Sequence, residues 1–218
     1  MQLRYGKLMV SAIAALAVAG AYASWTITIV ENSGIVFTPS GTPLTTAARV
    51  LTNTHPLPAV DVVPIVGNPV PIAAGDGFPY TAGSSLVRYI VSGGSAPITG
   101  VLITTNGLVR GNASISWSKL VIDNDTNTLL LNFTAEFNGA GLGGSNGPVY
   151  NAQFFSFSRP SSNFRVTDTV TVFAREAPSA SDVAFAFQFS QEFVPEPASM
   201  LALGVGLAGL VGLRRRKK

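Results

Sequence analysis

The sequence predicts an all-β domain between two apolar terminal segments, and three observations support this prediction. Short runs alternate between apolar and polar residues, which is typical of strands with one buried face. Turn-forming residues are frequent, with 22 Gly and 14 Pro among 218 residues. The interior shows no extended stretch with the i, i+3, i+4, i+7 spacing of an amphipathic helix. We therefore expect an antiparallel β-sandwich, jelly-roll-like or similar, over residues 24–193.

The strands with the clearest alternation lie near the two ends of this domain. Residues 24–31 (SWTITIVE) alternate Trp and Ile with Thr, and residues 166–176 (VTDTVTVFARE) alternate Thr with Val. Each of these strands is expected to bury one face. Residues 183–193 (VAFAFQFSQEF) place a row of aromatic rings at every second position, and we expect that row to line the core: Phe185, Phe187 and Phe189.

Turn signals divide the domain into antiparallel neighbours. Asn106-Gly107 has the composition of a two-residue hairpin, and Asn124-Asp125 marks a second one. Residues 55–80 carry six prolines, which cannot donate to a sheet ladder. That segment is expected to form extended loops or sheet edges that cover the domain.

The charge distribution argues against a nucleic-acid partner. The whole chain has a formal charge of +3, but seven of its fourteen cations lie in the terminal segments. Residues 24–197 keep seven cations and all eleven acids, which gives a net charge of −4. The chain has no cysteine, so thiol nucleophiles, zinc-thiolate sites and disulfides are excluded.

The first 23 residues are typical of a cleaved export signal. Two cations precede an apolar run over residues 8–20, and Ala21-Tyr22-Ala23 supplies a small-x-small cleavage box. Cleavage by signal peptidase after Ala23 would release a mature chain outside the cytoplasm. The alternative is an uncleaved membrane anchor, although the run is shorter than the roughly 20 residues of a spanning helix.

The last 25 residues combine three elements in a fixed order. Pro195, Glu196 and Pro197 form an extended segment, because both prolines fix φ and lack a backbone donor. The next sixteen residues, 198–213, carry no charge and would form a helix about 24 Å long, enough to span a thinned bilayer. Five cations follow, Arg214, Arg215, Arg216, Lys217 and Lys218, and would stay on the cytoplasmic side.

This tail resembles the PEP-CTERM sorting signal of Gram-negative bacteria, over about the last 25 residues. The Pro-Glu-Pro of the family falls on residues 195–197, its membrane span on 198–213 and its arginine cluster on 214–216. The resemblance implies secretion, transient anchoring in the inner membrane and removal of the tail near Pro197 by exosortase. The product would then reach the cell surface or the exopolysaccharide matrix. A tail anchor that is never processed is the alternative.

Two sequence motifs that suggest an enzyme lack the secondary structure that their chemistry requires. The glycines at 139, 141 and 144 fit a dinucleotide loop, and Ser145 lies at the centre of a nucleophile-elbow pattern. Both motifs need a helix directly afterwards, but Pro148 and a strand-like segment follow. The sole histidine, His55, lies in the proline-rich segment. We assign no catalytic residue.

Residues 123–127 (DNDTN) match only the first half of a calcium loop. Thr128 stands where that loop requires Gly, and Thr134 stands where it requires Glu. A turn accounts for the same residues. We therefore expect no metal and no cofactor.

Two hypotheses for function remain. The first is a non-enzymatic surface or matrix protein with a structural or adhesive role. The alternative is a carbohydrate-binding module that uses exposed aromatic side chains, with Trp117 as the candidate ligand contact and Tyr150 as a second example. Scattered acids and one histidine neither demonstrate nor rule out an enzyme.

Overall fold

Strands make up nearly all of the described chain. The computed structural model describes residues 25–38, 50–54, 57–62, 72–75, 81–94, 96–175 and 181–195. In chain order, its strands are β1 (Trp25–Thr38), β2 (Val50–Asn53), β3 (Ala59–Val62), β4 (Ile72–Gly75), β5 (Ala82–Gly93), β6 (Ile98–Arg110), β7 (Ala113–Asp123), β8 (Leu129–Asn138), β9 (Gly147–Ser161), β10 (Asn163–Ala174) and β11 (Val183–Pro195). A short 3-10 helix (Ala140–Leu142) lies between β8 and β9.

These strands form two sheets in which every pair is antiparallel. The first sheet has the order β1-β5-β10-β7-β8, and the second has the order β2-β3-β11-β6-β9. β4 also pairs with β11, at the opposite end of that strand from β3. The predicted antiparallel sandwich is confirmed, and its jelly-roll character stays a prediction. The expected signal helix (1–23) and membrane helix (198–213) lie outside the described residues.

The core lies between the sheets because the central strands alternate strictly. In β7 every odd position from Ala113 to Asp123 is buried, and in β10 every even position from Phe164 to Ala174 is buried. Such alternation gives each sheet one inward face, and the two inward faces meet.

Within the described chain, no helix is long and apolar enough to cross a membrane.

Connections explain how the two sheets are joined. β7 and β8 form a hairpin in the first sheet, so the antiparallel neighbours predicted around Asn124-Asp125 are confirmed. The loop of this hairpin is longer than two residues, and it contains Asn127, whose φ is 55°. Other consecutive strands, including β5 to β6 and β9 to β10, lie in different sheets. These crossings place residues far apart in sequence on facing inner surfaces.

The hairpin predicted at Asn106-Gly107 is wrong. Both residues lie inside β6, a central strand that pairs with β11 on one side and β9 on the other. A Cβ on Gly107 would lie 2.6 Å from the backbone oxygen of Phe185 and 2.7 Å from the Cδ1 of Ile115. The glycine is therefore required by close packing within the sandwich and not by a turn.

The predicted aromatic row in β11 is only partly inside the core. Phe189 is fully buried, as is Phe193 four residues later, but Phe185 and Phe187 are half-buried. The register against β6 shifts between Ala186 and Gln188. This β-bulge changes which alternate positions face inward, so a strict period of two cannot hold along the strand.

Candidate functional site

Trp117 cannot contact a ligand at the surface, so its prediction as a ligand contact is wrong. Its side chain is 0% exposed. The indole packs edge-on against Phe137 with ring centroids 5.4 Å apart, and its Cη2 lies near Gly107 of the opposite sheet. The odd-numbered alternation of β7 turns this residue inward.

Only the first residue of the predicted sorting segment lies in the described part of the chain. Pro195 is the last residue of β11, where it pairs with Ile98 of β6. The other predicted sorting and processing residues lie outside the described residues: Ala21, Ala23, Glu196, Pro197, Arg214, Arg215 and Arg216. β11 therefore reaches the residue where the Pro-Glu-Pro segment begins.

A groove of about 420 Å³ opens between the edge strands of the two sheets. β8 contributes Glu136 and Asn138, β9 contributes Tyr150, and the connecting loop contributes Leu142 and Ser145. Both strands are terminal in their sheets, so their outer edges have no further strand beside them in the described chain. The groove is therefore accessible from solvent.

Tyr150 is the most exposed large hydrophobic side chain of the described domain, at 70%. Leu142 is 43% exposed, and Glu136 is also exposed. An exposed ring beside carboxylate and hydroxyl groups can both stack on an apolar face and accept or donate hydrogen bonds. This combination suits a ligand with apolar faces and many hydroxyl groups.

The loop between β8 and β9 is held by hydrogen bonds. The Oδ1 of Asn146 accepts from the backbone N–H of Gly111 at 2.8 Å and of Ala140 at 2.9 Å. The N–H groups of Gly144 and Ser145 donate to the carbonyls of Gly139 and Asn138. Since these amides are directed at the loop itself, they form no phosphate cradle or oxyanion hole.

The strand predicted after the glycine motifs is confirmed. The strand β9 begins at Gly147, only two residues after Ser145. The dinucleotide and nucleophile-elbow interpretations both require a strand-turn-helix arrangement. Neither motif has that arrangement here.

A second polar cluster lies inside the core. Lys119 of β7 and Asp168 of β10 are opposite each other in register, and both side chains are 0% exposed. The Nζ of Lys119 donates to Asp168 Oδ1 at 2.6 Å, to the hydroxyl oxygen of Tyr89 at 3.1 Å and to Gln191 Oε1 at 3.2 Å. Tyr89 in turn donates its hydroxyl hydrogen to Gln191 Oε1 at 2.6 Å. The four residues form one connected network.

Burial shifts the proton equilibria of this cluster towards neutral side chains. Desolvation lowers the pKa of Lys119, although the Asp168 carboxylate opposes the shift. Desolvation likewise raises the pKa of Asp168, against the effect of Lys119. The pKa of Tyr89 is raised by desolvation and by the nearby Asp168 charge. Charged groups are costly in a dry core, which explains all three directions.

The sequence analysis missed this cluster, although the strand pattern contained a signal. Lys119 occupies an odd position in β7, on the same face as Trp117 and Val121. Asp168 occupies an even position in β10, on the same face as Val166 and Val170. A charged residue at an inward position of an alternating strand is unusual, and two of them suggest partners.

The polar turn between β7 and β8 explains the DNDTN segment. The Oδ1 of Asp123 accepts hydrogen bonds from the backbone N–H of Asp125 and from the N–H and hydroxyl of Thr126. The same oxygen lies 2.9 Å from the Arg159 guanidinium. Asp123 thus acts as the cap of a turn, which favours the turn explanation over calcium.

The pKa of Asp123 reflects these contacts. Burial on its own raises the pKa, but hydrogen bonds from Ser161 and Thr126 and the charge of Arg159 lower it to about 2. The described residues contain no group of three or more His, Cys, Asp or Glu side chains placed to hold a metal ion.

Comparison with known proteins identifies the C-terminal segment. Residues 193–217 match the family model of the PEP-CTERM protein-sorting motif, in agreement with the resemblance found in the sequence. The chain therefore carries a PEP-CTERM signal for sorting by exosortase, which is a signal of exported proteins. No curated protein matches the chain.

Several solved structures are similar at low identity. One is TmCBM61 in complex with beta-1,4-galactotriose, with 12% identity, a TM-score of 0.32, and coverage of 82% of this chain and 93% of that one. Another is the CBM6 of the laminarinase LamC from Zobellia galactanivorans, with 9% identity, a TM-score of 0.27, and coverage of 77% and 98%. A third is CBM6cm-2 of Cellvibrio mixtus lichenase 5A with cellotriose, with 9% identity, a TM-score of 0.29, and coverage of 77% and 95%.

Proposed function

We propose that this protein is an exosortase-sorted protein of the cell surface or exopolysaccharide matrix, with a structural or adhesive role. Signal peptidase and the secretion machinery export it, and the C-terminal segment then holds it in the inner membrane for a time. Exosortase removes that segment near Pro197, and the sandwich domain reaches the surface or the extracellular space. The PEP-CTERM motif over residues 193–217 supports this route.

One structural observation carries the proposal: the sorting segment follows the sandwich without a linker. Pro195 is paired in β11, so the Pro-Glu-Pro segment begins at the folded domain itself. Processing near Pro197 would release a complete sandwich and leave no flexible stalk on it. A compact domain without a stalk suits a component of a packed matrix.

The domain acts by binding and not by turnover. The two glycine motifs lack the helix that their chemistry needs, and the buried Lys119–Asp168 pair is closed to substrates. The net charge of −4 in residues 24–197 and the polar outer strand faces suit weak, repeated contact with hydrated polysaccharide.

A carbohydrate-binding module is the second candidate, and the groove at Tyr150 favours it. The exposed ring, with Glu136 and Ser145 beside it, offers a stacking surface and hydrogen-bonding groups in one place. Tyr150 takes the role that Trp117 was predicted to have.

Retention on polysaccharide tests both candidates. The protein from the host's extracellular fraction is passed over immobilised exopolysaccharide of the same host, together with Tyr150→Ala and Phe173→Ala variants. Phe173 is 43% exposed on β10 of the other sheet and serves as the matched control.

Each outcome selects one interpretation. Retention that is lost only with Tyr150→Ala supports a carbohydrate-binding module. Retention that neither variant changes supports general matrix association. Absence of retention for the unaltered protein contradicts the polysaccharide role, and saturable breakdown of a glycan would show an enzyme.

A further inference from the structure

The Lys119–Asp168 pair has an unusual environment for two charged groups. Neither side chain has any exposure, and three aromatic rings surround the nitrogen, with centroids 5.4 to 5.6 Å from Nζ: Tyr89, Phe189 and Phe193. The pair lies between the five-stranded and the six-stranded sheet, and neither residue lines the groove at Tyr150.

An ion pair alone gives a weak reason for this burial. Removing two charges from water costs more than their attraction returns unless every remaining polar atom is satisfied. Here Asp168 Oδ2 is buried and has no hydrogen-bond partner among the described residues. A well-packed apolar pair would serve stability at least as well.

We propose that the Nζ of Lys119 and the Cγ of Asp168 become joined by an amide bond that covalently links β7 to β10. The two residues are direct cross-strand partners, so the sheet holds their backbones in place before the reaction. With Nζ 2.6 Å from Oδ1 and a carbon–oxygen bond of about 1.23 Å, Cγ lies within about 4 Å of the nitrogen. A fixed arrangement of this kind replaces the encounter of two separate molecules.

The protonation states required for the reaction are the ones that burial favours. An amine attacks a carboxyl carbon only when the nitrogen is unprotonated, and a neutral carboxylic acid is a better acceptor than a carboxylate. Desolvation lowers the pKa of Lys119 and raises that of Asp168. Transfer of one proton from Nζ to the carboxylate gives the reactive pair without any external base.

The reaction balances without a further reagent. The lone pair of Nζ forms a bond to Cγ, one C–O bond of the carboxyl group breaks, and the departing oxygen leaves as water with two protons. One proton comes from the carboxylic acid and the other from the nitrogen. The hydroxyl of Tyr89, 3.1 Å from Nζ, is placed to carry a proton during this exchange.

The product would replace a disulfide in a chain that has no cysteine. The bond would close a loop between residues 49 positions apart and tie two central strands of the first sheet together. Such a loop closure restricts the unfolded chain, as a disulfide does. The apolar rings around the bond would exclude the water needed to hydrolyse it.

Tryptic digestion of the denatured full-length protein tests the proposal. The sequence predicts separate peptides 111–119, 120–165 and 166–175, because trypsin does not cut between Arg159 and Pro160. An amide at Lys119 blocks cleavage there. We expect one species that contains residues 111–165 joined to residues 166–175, lighter than the two peptides together by one water molecule.

Recovery of the three separate peptides, with cleavage after Lys119, would overturn the proposal. Asp168→Ala should restore cleavage after Lys119. A linked species that persists in Asp168→Ala would show that Asp168 is not the acceptor.

A kinetic comparison tests the role of Tyr89. In the Tyr89→Phe variant the linked species should accumulate more slowly in newly synthesised chains followed by pulse-chase labelling, with the fold checked by circular dichroism. An unchanged rate would contradict proton transfer through the Tyr89 hydroxyl.

Discussion

The indole of Trp117 lies against Gly107 across the interior of the sandwich, with the Cη2 of the ring 3.3 Å from the position of a Cβ on that glycine. Trp117 belongs to β7 of the first sheet and Gly107 to β6 of the second. The contact explains two features at once: a tryptophan with no exposed surface and a glycine in the middle of a central strand. The missing side chain at Gly107 leaves room for the buried indole of Trp117.

Gly107→Ala should therefore destabilise the domain. The added methyl group would lie 2.6 Å from the backbone oxygen of Phe185, so the backbone of β11 would have to move. Overpacking of this kind costs about 1 to 3 kcal/mol. The loss is measured by chemical unfolding, with Gly143→Ala as a control in open space, although its φ of +83° adds some strain of its own. Equal stability of Gly107→Ala and the unaltered chain would contradict the contact.

Phe193→Ala should cost about 3 to 5 kcal/mol, because this ring is fully buried and packs against Tyr89 and Phe164. Phe187→Ala should cost clearly less, since the bulge leaves Phe187 half-buried. Urea unfolding of both variants gives the comparison. A larger loss of stability for Phe187→Ala than for Phe193→Ala would contradict the half-burial of Phe187.

Acid should weaken the domain through Asp123. The pKa of this carboxyl in the folded chain is about 2, below its ordinary value of 3.8. A lowered pKa means that the carboxylate stabilises the fold above pH 3.8, and that this stabilisation is lost as the pH falls through about 2. Asp123→Asn should be less stable at neutral pH and show a weaker dependence on acid.

The measurement is the free energy of unfolding from neutral pH down to about pH 2 for both proteins. Their curves should converge at the acidic end, where Asp123 is protonated. Parallel curves would mean that Asp123 does not carry the acid dependence.

Glu196→Ala should leave the protein in the inner membrane if exosortase recognises the Glu196 side chain within the Pro-Glu-Pro segment. The unaltered protein from the host should lack about its last 20 residues, as expected for a removed sorting segment. Mass spectrometry of membrane and extracellular fractions measures both outcomes. A conservative Arg88→Lys variant in the sandwich serves as a control that should be processed normally. Release of Glu196→Ala at the normal level would contradict the role of this residue.

The strand content and the sorting segment could be predicted from sequence because both depend on local patterns. A period of two marks a strand wherever it occurs, and the tail is defined by residues that follow one another along the chain. The same reasoning failed at Asn106-Gly107, where a turn dipeptide lies inside the continuous strand β6. It also failed along β11, where a single extra residue exchanges the buried and exposed positions.

By itself, the sequence determined that this is a two-faced β domain followed by a PEP-CTERM sorting segment. Apart from the β7–β8 hairpin, only the tertiary structure decided which strands are neighbours and in which register. Lys119 meets Asp168 49 residues away, and Tyr89 meets Gln191 102 residues away, through sheet pairings that no local pattern specifies. The alternating pattern predicts that a side chain faces the core, but long-range strand pairing determines which residues it contacts there. For the same reason, only the structure shows that Trp117 lies in the core and that Tyr150, at the edge of the second sheet, is exposed.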